Sequence, residues 1–493
     1  MKKANQDFWK FRLASLSGLA LSMTAVAQAQ LLPYTPQDVR LELIQAPSAT
    51  QILPGLKTNG LSYTGIEESE PTGNVVPIKG SYLGPTIRAY KGQQLTVAFQ
   101  NNIGYPSITH WHGLDVPANM DGHPDDAIND GETFKYSFEI LNRAGTYWYH
   151  PHPDMETATQ VNAGLAGFLI VHDKEEHGLN LPSGRFDVPL CIQDATFDSS
   201  NQRVYNPMMI PGFFGTRVMV NGFPNYVHSV SKSAYRLRLL NGSVSRIYKL
   251  AFSDGTPMIA IGTDGGLLDR PRTYPYIMLA PGERVELWAD FRNKTIGSQI
   301  TLRSLSFTSN GGQGAAVNIM NFSVDKTATE RKSLPSKLTT IVPYHLANAV
   351  NAGNPKTYAI GAVGVNPNMQ YTLNGGLFNA ASIAENEVAT AGSLELIQVT
   401  NTSGMPIIPH PIHFHGRQFQ MLDRTVLPAN QTNWNSVKDG FIMHGWKDTF
   451  LIMPGETVRF LVQHGNHFGK FLYHCHNLEH EDMGMMRNFQ IVP

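Results

Sequence analysis

The chain has 493 residues, room for about three domains with sizeable hydrophobic cores. With 42% hydrophobic and only 16% charged residues, it is not a disordered, solvating chain. Lys plus Arg (38) and Asp plus Glu (39) nearly balance, which argues against a nucleic-acid or anionic-membrane binder, and two Cys exclude a disulfide framework.

At the N-terminus Lys2, Lys3, Lys10 and Arg12 form a basic start, an apolar stretch covers 13–26, and Ala27-Gln28-Ala29 fits a small-x-small cleavage site. Residues 1–29 are therefore expected to be a removable export signal, placing the mature protein in the periplasm or outside the cell. No later run reaches 18 uninterrupted apolar residues, so no membrane span is expected in the mature chain. Further on, runs at 94–99, 134–140, 166–171, 235–240, 284–291, 394–399 and 457–462 alternate or are wholly apolar, each bounded by Gly, Pro, Asn or Asp. That is the pattern of strands joined by turns. No long segment sustains a helical period with caps. The expected class is all-β.

A weak repeat orders these strands. Asp130-Gly131-Glu132-Thr133, Pro281-Gly282-Glu283-Arg284 and Pro454-Gly455-Glu456-Thr457 each precede a strand, with glycines 151 and 173 residues apart. GTYWYHPH (145–152) resembles GKFLYHCH (469–476) at an offset of 324, the total of those two spacings. Three copies of one β-domain follow, expected at 30–175, 176–330 and 331–493. The first and third copies carry His at the repeat ends, whereas the corresponding stretch of the second, 296–305, has none. A motif confined to copies one and three points to a site between them.

The chain has 18 His, and four His-x-His pairs stand out: His110/His112, His150/His152, His413/His415 and His474/His476. Chance gives about 0.65 such pairs at this His frequency. Residues two apart on a strand share a face, so each pair projects two imidazoles together. Several converging pairs suit copper, zinc, iron or nickel. In His474-Cys475-His476 the Cys must face the other way, free to hold a different metal. His410 upstream, with His480 and Met485 downstream, completes two imidazoles, a thiolate and a thioether, the blue-copper set. Met483 and Met486 compete for the thioether position. Zinc fits less well, since a thioether is a poor zinc ligand.

At these residues the chain resembles the multicopper oxidases, through HWHG (110–113), HPH (150–152), HPIHFHG (410–416) and HCHNLEHEDMGM (474–485). The resemblance spans essentially the whole mature chain, including a copper-free middle part carrying VNG, RLRLLNGS, GTDGG and APGERVEL. It implies three consecutive cupredoxin-like Greek-key β-sandwich or barrel domains and four coppers. A type 1 copper would take His410, Cys475, His480 and Met485, and a type 2 copper His110 and His413. The type 3 pair would take His112, His150 and His476 on one ion, and His152, His415 and His474 on the other.

The implied reaction is reduction of O2 to water, driven by one-electron donors at type 1. Asp121 and Glu481 match the family's acids beside the type 2 and type 3 coppers, where they would supply protons. Asp448 fits a family pattern but is expected to be structural, and Cys191, in an apolar run, an inert buried thiol. A phenol or aromatic amine leads as donor. Cu(I) is the alternative, although no Met/His-rich insertion is found, Met208, Met209 and Met219 being scattered, and the stretch 406–409 lacks an acid or Met. A copper-free homologue of the cell-division type should lack several His and the Cys; this chain lacks none of them.

Overall fold

A computed structural model describes residues 38–68, 73–208, 210–309, 312–327, 332–364, 369–402 and 408–493. The expected export signal, 1–29, lies outside them. Regular structure among the described residues is almost entirely strand, and the longest α-helix is Thr157–Ala163. Six sheets pack in pairs into three sandwiches, whose strands come from 39–172, 187–326 and 356–492. Each pair encloses its own apolar core. Leu41 and Phe99 face Leu169 and Tyr149 in the first, Leu237 and Leu287 face Leu302 and Phe322 in the second, and Val399 and Phe460 face Ile412 and Tyr473 in the third.

The three sandwiches share a topology. In each, one strand joins the sheet in parallel: Val39–Thr50 beside Gln94–Asn101, Asp187–Ala195 beside Ala234–Asn241, and Lys356–Val363 beside Leu394–Asn401. The second strand of each pair ends on Asn101, Asn241 or Asn401. Each Asn carbonyl accepts from the glycine N–H of the repeated turn, Gly131, Gly282 or Gly455, at 2.6, 2.9 and 2.7 Å. All three glycines have positive φ, between 74° and 84°, where a Cβ would be strained. Each Asn side-chain amide also donates to two carbonyls further along the chain.

Exposure separates outer from inner strands. Gln94–Asn101 alternates half-buried and buried positions, as a strand with one wet face must. Gly145–Pro151 and Ala234–Asn241 are buried at every position. Their second faces are covered by the neighbouring sandwich: Trp148, Phe168 and Ile170 of the first pack with Cys191, Met219 and Leu240 of the second. The inner strands of the first and third sandwiches carry the histidines.

Candidate metal centre

Two neighbouring strands supply each half of the histidine cluster. In the first sandwich Thr109–His112 pairs antiparallel with Gly145–Pro151, His110 opposite His150. In the third, His410–Phe414 pairs with Gly469–Cys475, His413 opposite His474 and Ile412 opposite Cys475. His152, His415 and His476 lie just past their strand ends but keep the period-2 direction, with ring centroids 4.8–6.0 Å from their pair mates. All eight imidazoles of the four His-x-His pairs come together across the seam, each at most 1% exposed.

Their hydrogen bonds show what the cluster is built to hold. His110 Nδ1 donates to the Asp121 carbonyl at 2.6 Å, His413 Nδ1 to the Asp448 carbonyl at 2.8 Å and His150 Nδ1 to the Pro151 carbonyl at 2.9 Å. A carbonyl only accepts, so a neutral ring donating there keeps a bare lone pair on Nε2. Burial does keep these rings neutral, lowering His110 and His413 well below the usual imidazole range and His150 to about 3. The Nε2 atoms of His110 and His413 nevertheless face each other at 3.4 Å. Two lone pairs that close repel unless a cation lies between them. His474 Nε2 is likewise 3.1 Å from His415 Nε2 and 3.3 Å from His152 Nε2. His112 is turned the other way: its Nε2 lies 3.1 Å from Asp448 Oδ1, and its Nδ1 is buried without a partner, as are His150 Nε2 and both nitrogens of His476. Buried polar atoms in this number without partners mark a ligand site.

Cys475 faces away from its two neighbours, as expected, into the core of the third sandwich. Its Sγ lies 3.5 Å from His410 Nδ1 and 3.6 Å from His480 Nδ1, and all three residues are fully buried. Met485 is buried in the same apolar cluster as Cys475. Met483 is only half-buried, and Met486 pairs with His474 in the sheet, so Met485 is the thioether on the Cys475 side. Burial raises the Cys475 thiol well above its usual range and lowers His410 to about 3. A soft cation is the group that deprotonates such a thiol. Tyr371 packs on both imidazoles, 4.7 Å from each ring centroid.

The two acids stand on the wall of the cluster. Asp121 Oδ2 is 2.6 Å from His415 Nδ1, and Glu481 Oε2 is 2.9 Å from His474 Nδ1. Burial raises Asp121 well above the carboxylate range. Burial pushes Glu481 up too, but the imidazoles of His474 and His152 prevail and hold it below that range. His123 bonds Asn488, and His444 is exposed beside Arg272; neither joins the cluster. Cys191 is buried and free, its thiol raised to about 12 by burial.

Sequence reasoning noted that Asp448 fits a family pattern and expected it to be structural, and it did not single out Arg284. The structure brings the Asp448 carboxylate against His112, with Arg284 holding both of its oxygens at 2.7 and 2.6 Å. The available signal was the repeat itself, in which copy two has Arg284 where the others have Thr133 and Thr457.

Sandwiches of this topology, with a Cys/His/Met set and a dense imidazole cluster, define a copper protein of the cupredoxin class. Multicopper oxidase family models match residues 62–176 and 349–493. A multicopper oxidase of Staphylococcus haemolyticus is 31% identical over 85% of this chain and 84% of its own length. The crystal structure of the McoA multicopper oxidase of Aquifex aeolicus superposes with a TM-score of 0.78 at 35% identity, covering 92% of this chain and 96% of that one. A cell division protein FtsP of Xenorhabdus nematophila is 27% identical over 97% of both chains. The chain belongs to the multicopper oxidases and is an oxidoreductase of that family.

Proposed function

We propose that this is an exported enzyme, periplasmic or secreted, that oxidises phenols or aromatic amines one electron at a time and passes the electrons to O2, which becomes water. Copper, about four ions per chain, supplies single-electron acceptance at the Cys475 site and oxygen reduction at the imidazole cluster. His410, Cys475, His480 and Met485 would hold the first ion. His110 with His413, His112 with His150 and His476, and His152 with His415 and His474 would hold the other three. The observation that carries this reading is the apposition of the His110 and His413 Nε2 lone pairs at 3.4 Å.

The chain's own residues set the conditions. Cys475 is covalently joined to His474 and His476, the shortest bonded path between the two donor sets. Complete burial of the cluster keeps bulk water out. Asp121 and Glu481 place a carboxyl group on either side, positioned to hold and move the protons that water formation consumes. Cu(I) as donor is a second reading, favoured by the exposed thioethers of Met155 and Met208. Met155 leads into Thr157–Ala163, which packs on the His480 helix, and Met208 follows Tyr205, whose hydroxyl donates to Glu479.

Stopped-flow reduction of copper-loaded protein by a phenol, an aromatic amine and Cu(I) in parallel tests the assignment. Fast bleaching by phenol or amine is expected. Fast reduction by Cu(I) alone would replace the donor assignment with the second reading. Metal analysis finding no copper would favour instead a copper-free homologue of the cell-division type, the name that FtsP carries.

A further inference from the structure

The repeated turn carries Arg only in the second sandwich, which holds none of the clustered imidazoles. Arg284 is fully buried and reaches out of its own sandwich on both sides. Its Nε donates to the Thr146 carbonyl of the first at 3.0 Å, and its Nη1 and Nη2 to the two Asp448 oxygens in the third. A carboxylate gripped by both oxygens in a guanidinium fork is purely an acceptor. His112 Nε2 lies 3.1 Å from Asp448 Oδ1 and 3.2 Å from the Thr449 hydroxyl, which itself donates to that Asp448 oxygen, so His112 donates from Nε2 and Nδ1 is left bare. It is reversed relative to His110, His413 and His150, each fixed by a backbone carbonyl at Nδ1. Two glycines make room for this arrangement. A Cβ on Gly113 would stand 2.5 Å from Asp448 Oδ2 and 2.7 Å from Arg284 Nη2, and one on Gly282 would stand 2.8 Å from the His476 ring.

We propose that the turn 281–284 of the second sandwich is a positioning device for the imidazole cluster: Arg284, acting through Asp448, fixes which nitrogen His112 turns inward, and Gly282 seats the ring of His476. Arg284 is a positioning residue, not a ligand. His112 and His476, with His150, form one of the ion sets assigned above, so the inference rests on that assignment.

The tautomer can be read without any metal. In metal-free protein labelled with 15N-histidine, the His112 signals, assigned by their loss in His112→Ala, should report a proton on Nε2. Arg284→Met should give mixed tautomers. In copper-loaded protein it should weaken binding of one ion about 10–100-fold while the blue absorption of the Cys475 site stays unchanged. Gly282→Ala should weaken the same ion and leave the His112 tautomer intact. Arg238→Met removes another buried, ion-paired arginine of the same sandwich and should alter neither readout. If Arg284→Met does not fold, Arg284→Lys keeps the charge without the fork and should still mix the tautomers. A wild-type proton on Nδ1, or an Arg284 variant with unchanged tautomer and copper, overturns the proposal. So does equal copper loss in Arg238→Met. Failure of the copper reading itself would show separately, as wild-type protein that binds no copper.

Discussion

Two of the buried polar clusters on the seams of this molecule differ in their hydrogen bonding. Between the first and second sandwiches, Arg236 and Arg238 meet Glu176, Asp187, Glu286 and Thr146. All six guanidinium nitrogens donate: Arg236 Nε and Nη2 to Glu286, its Nη1 to Glu176, and Arg238 to Asp187, Glu286, Glu176 and Thr146. Between the first and third sandwiches the eight imidazoles have no such closure; at least five of their nitrogens are buried without a partner. Burial, charge and position on a seam are common to both. The unmet hydrogen-bonding capacity is what separates a site that takes a ligand from a clasp that is already complete.

The sharpest way to break that contrast is at Cys475, the residue that would join the two proposed metal sites. Cys475→Ser should abolish the blue charge-transfer band and oxidase turnover together, read by absorbance and by oxygen uptake. Phenol oxidation at the wild-type rate in that variant would show that electrons do not travel through Cys475.

Removing copper comes next in size. If bare lone pairs face each other in the empty cluster, chelation should lower stability by about 4 kcal/mol at metal activities near a thousand times the dissociation constant. Scanning calorimetry of metal-free and loaded protein would read this as a shift of the transition that contains the first and third sandwiches. Identical thermograms would mean that the imidazoles are satisfied without metal.

How far the sequence disclosed all this depends on the separation of the partners. Period-2 spacing told which faces His474, Cys475 and His476 present, because that is local geometry, and the structure has Cys475 turned from the other two. The turn glycines 131, 282 and 455 were legible as a repeat. The asparagines at 101, 241 and 401 that bind those turns were not noticed, since an Asn at a strand end reads as an ordinary breaker until its carbonyl partners are known. Asp448 and Arg284 are 164 residues apart and His112 and Asp448 are 336 apart, so no local pattern links them. The same holds for the clasp: Arg236 and Arg238 read as polar positions of an apolar strand, their partners lying up to 92 residues away.

A smaller effect sharpens the comparison from the other side. The Glu176 carboxyl is pushed up by burial, but Arg236, His172 and Arg238 prevail and hold it well below the usual range. A depressed carboxylate stabilises the fold above its unfolded pKa of about 4.3, and that contribution is lost as pH falls through the lower folded value. Glu176→Gln should therefore cost about 3 kcal/mol at pH 7, and the deficit should shrink as the pH is taken below about 4. Denaturant unfolding at several pH values measures it. Copper content should stay at the wild-type level, and a loss of copper would show that the two seams are not independent.

The smallest effect is expected where the second sandwich meets the Cys475 site. Both imidazoles there are fully buried, so a donor has to deliver its electron across whatever covers them. The bridge between Met208 and Gly212 closes a hairpin, and its Ile210 packs against the cluster that contains Cys475 and Met485. The hairpin is pinned to the His480 helix by Tyr205 donating to Glu479 and by Asn477 donating to the Pro211 carbonyl. Ile210→Ala removes apolar wall without touching those pins. It should raise kcat/KM for a bulky phenol over that for a small one-electron donor about fourfold, the equivalent of one methylene of contact. The blue absorption should not move, which separates a change of access from a change at the metal. Equal changes for both donors would mean that the wall contributes packing and no selectivity.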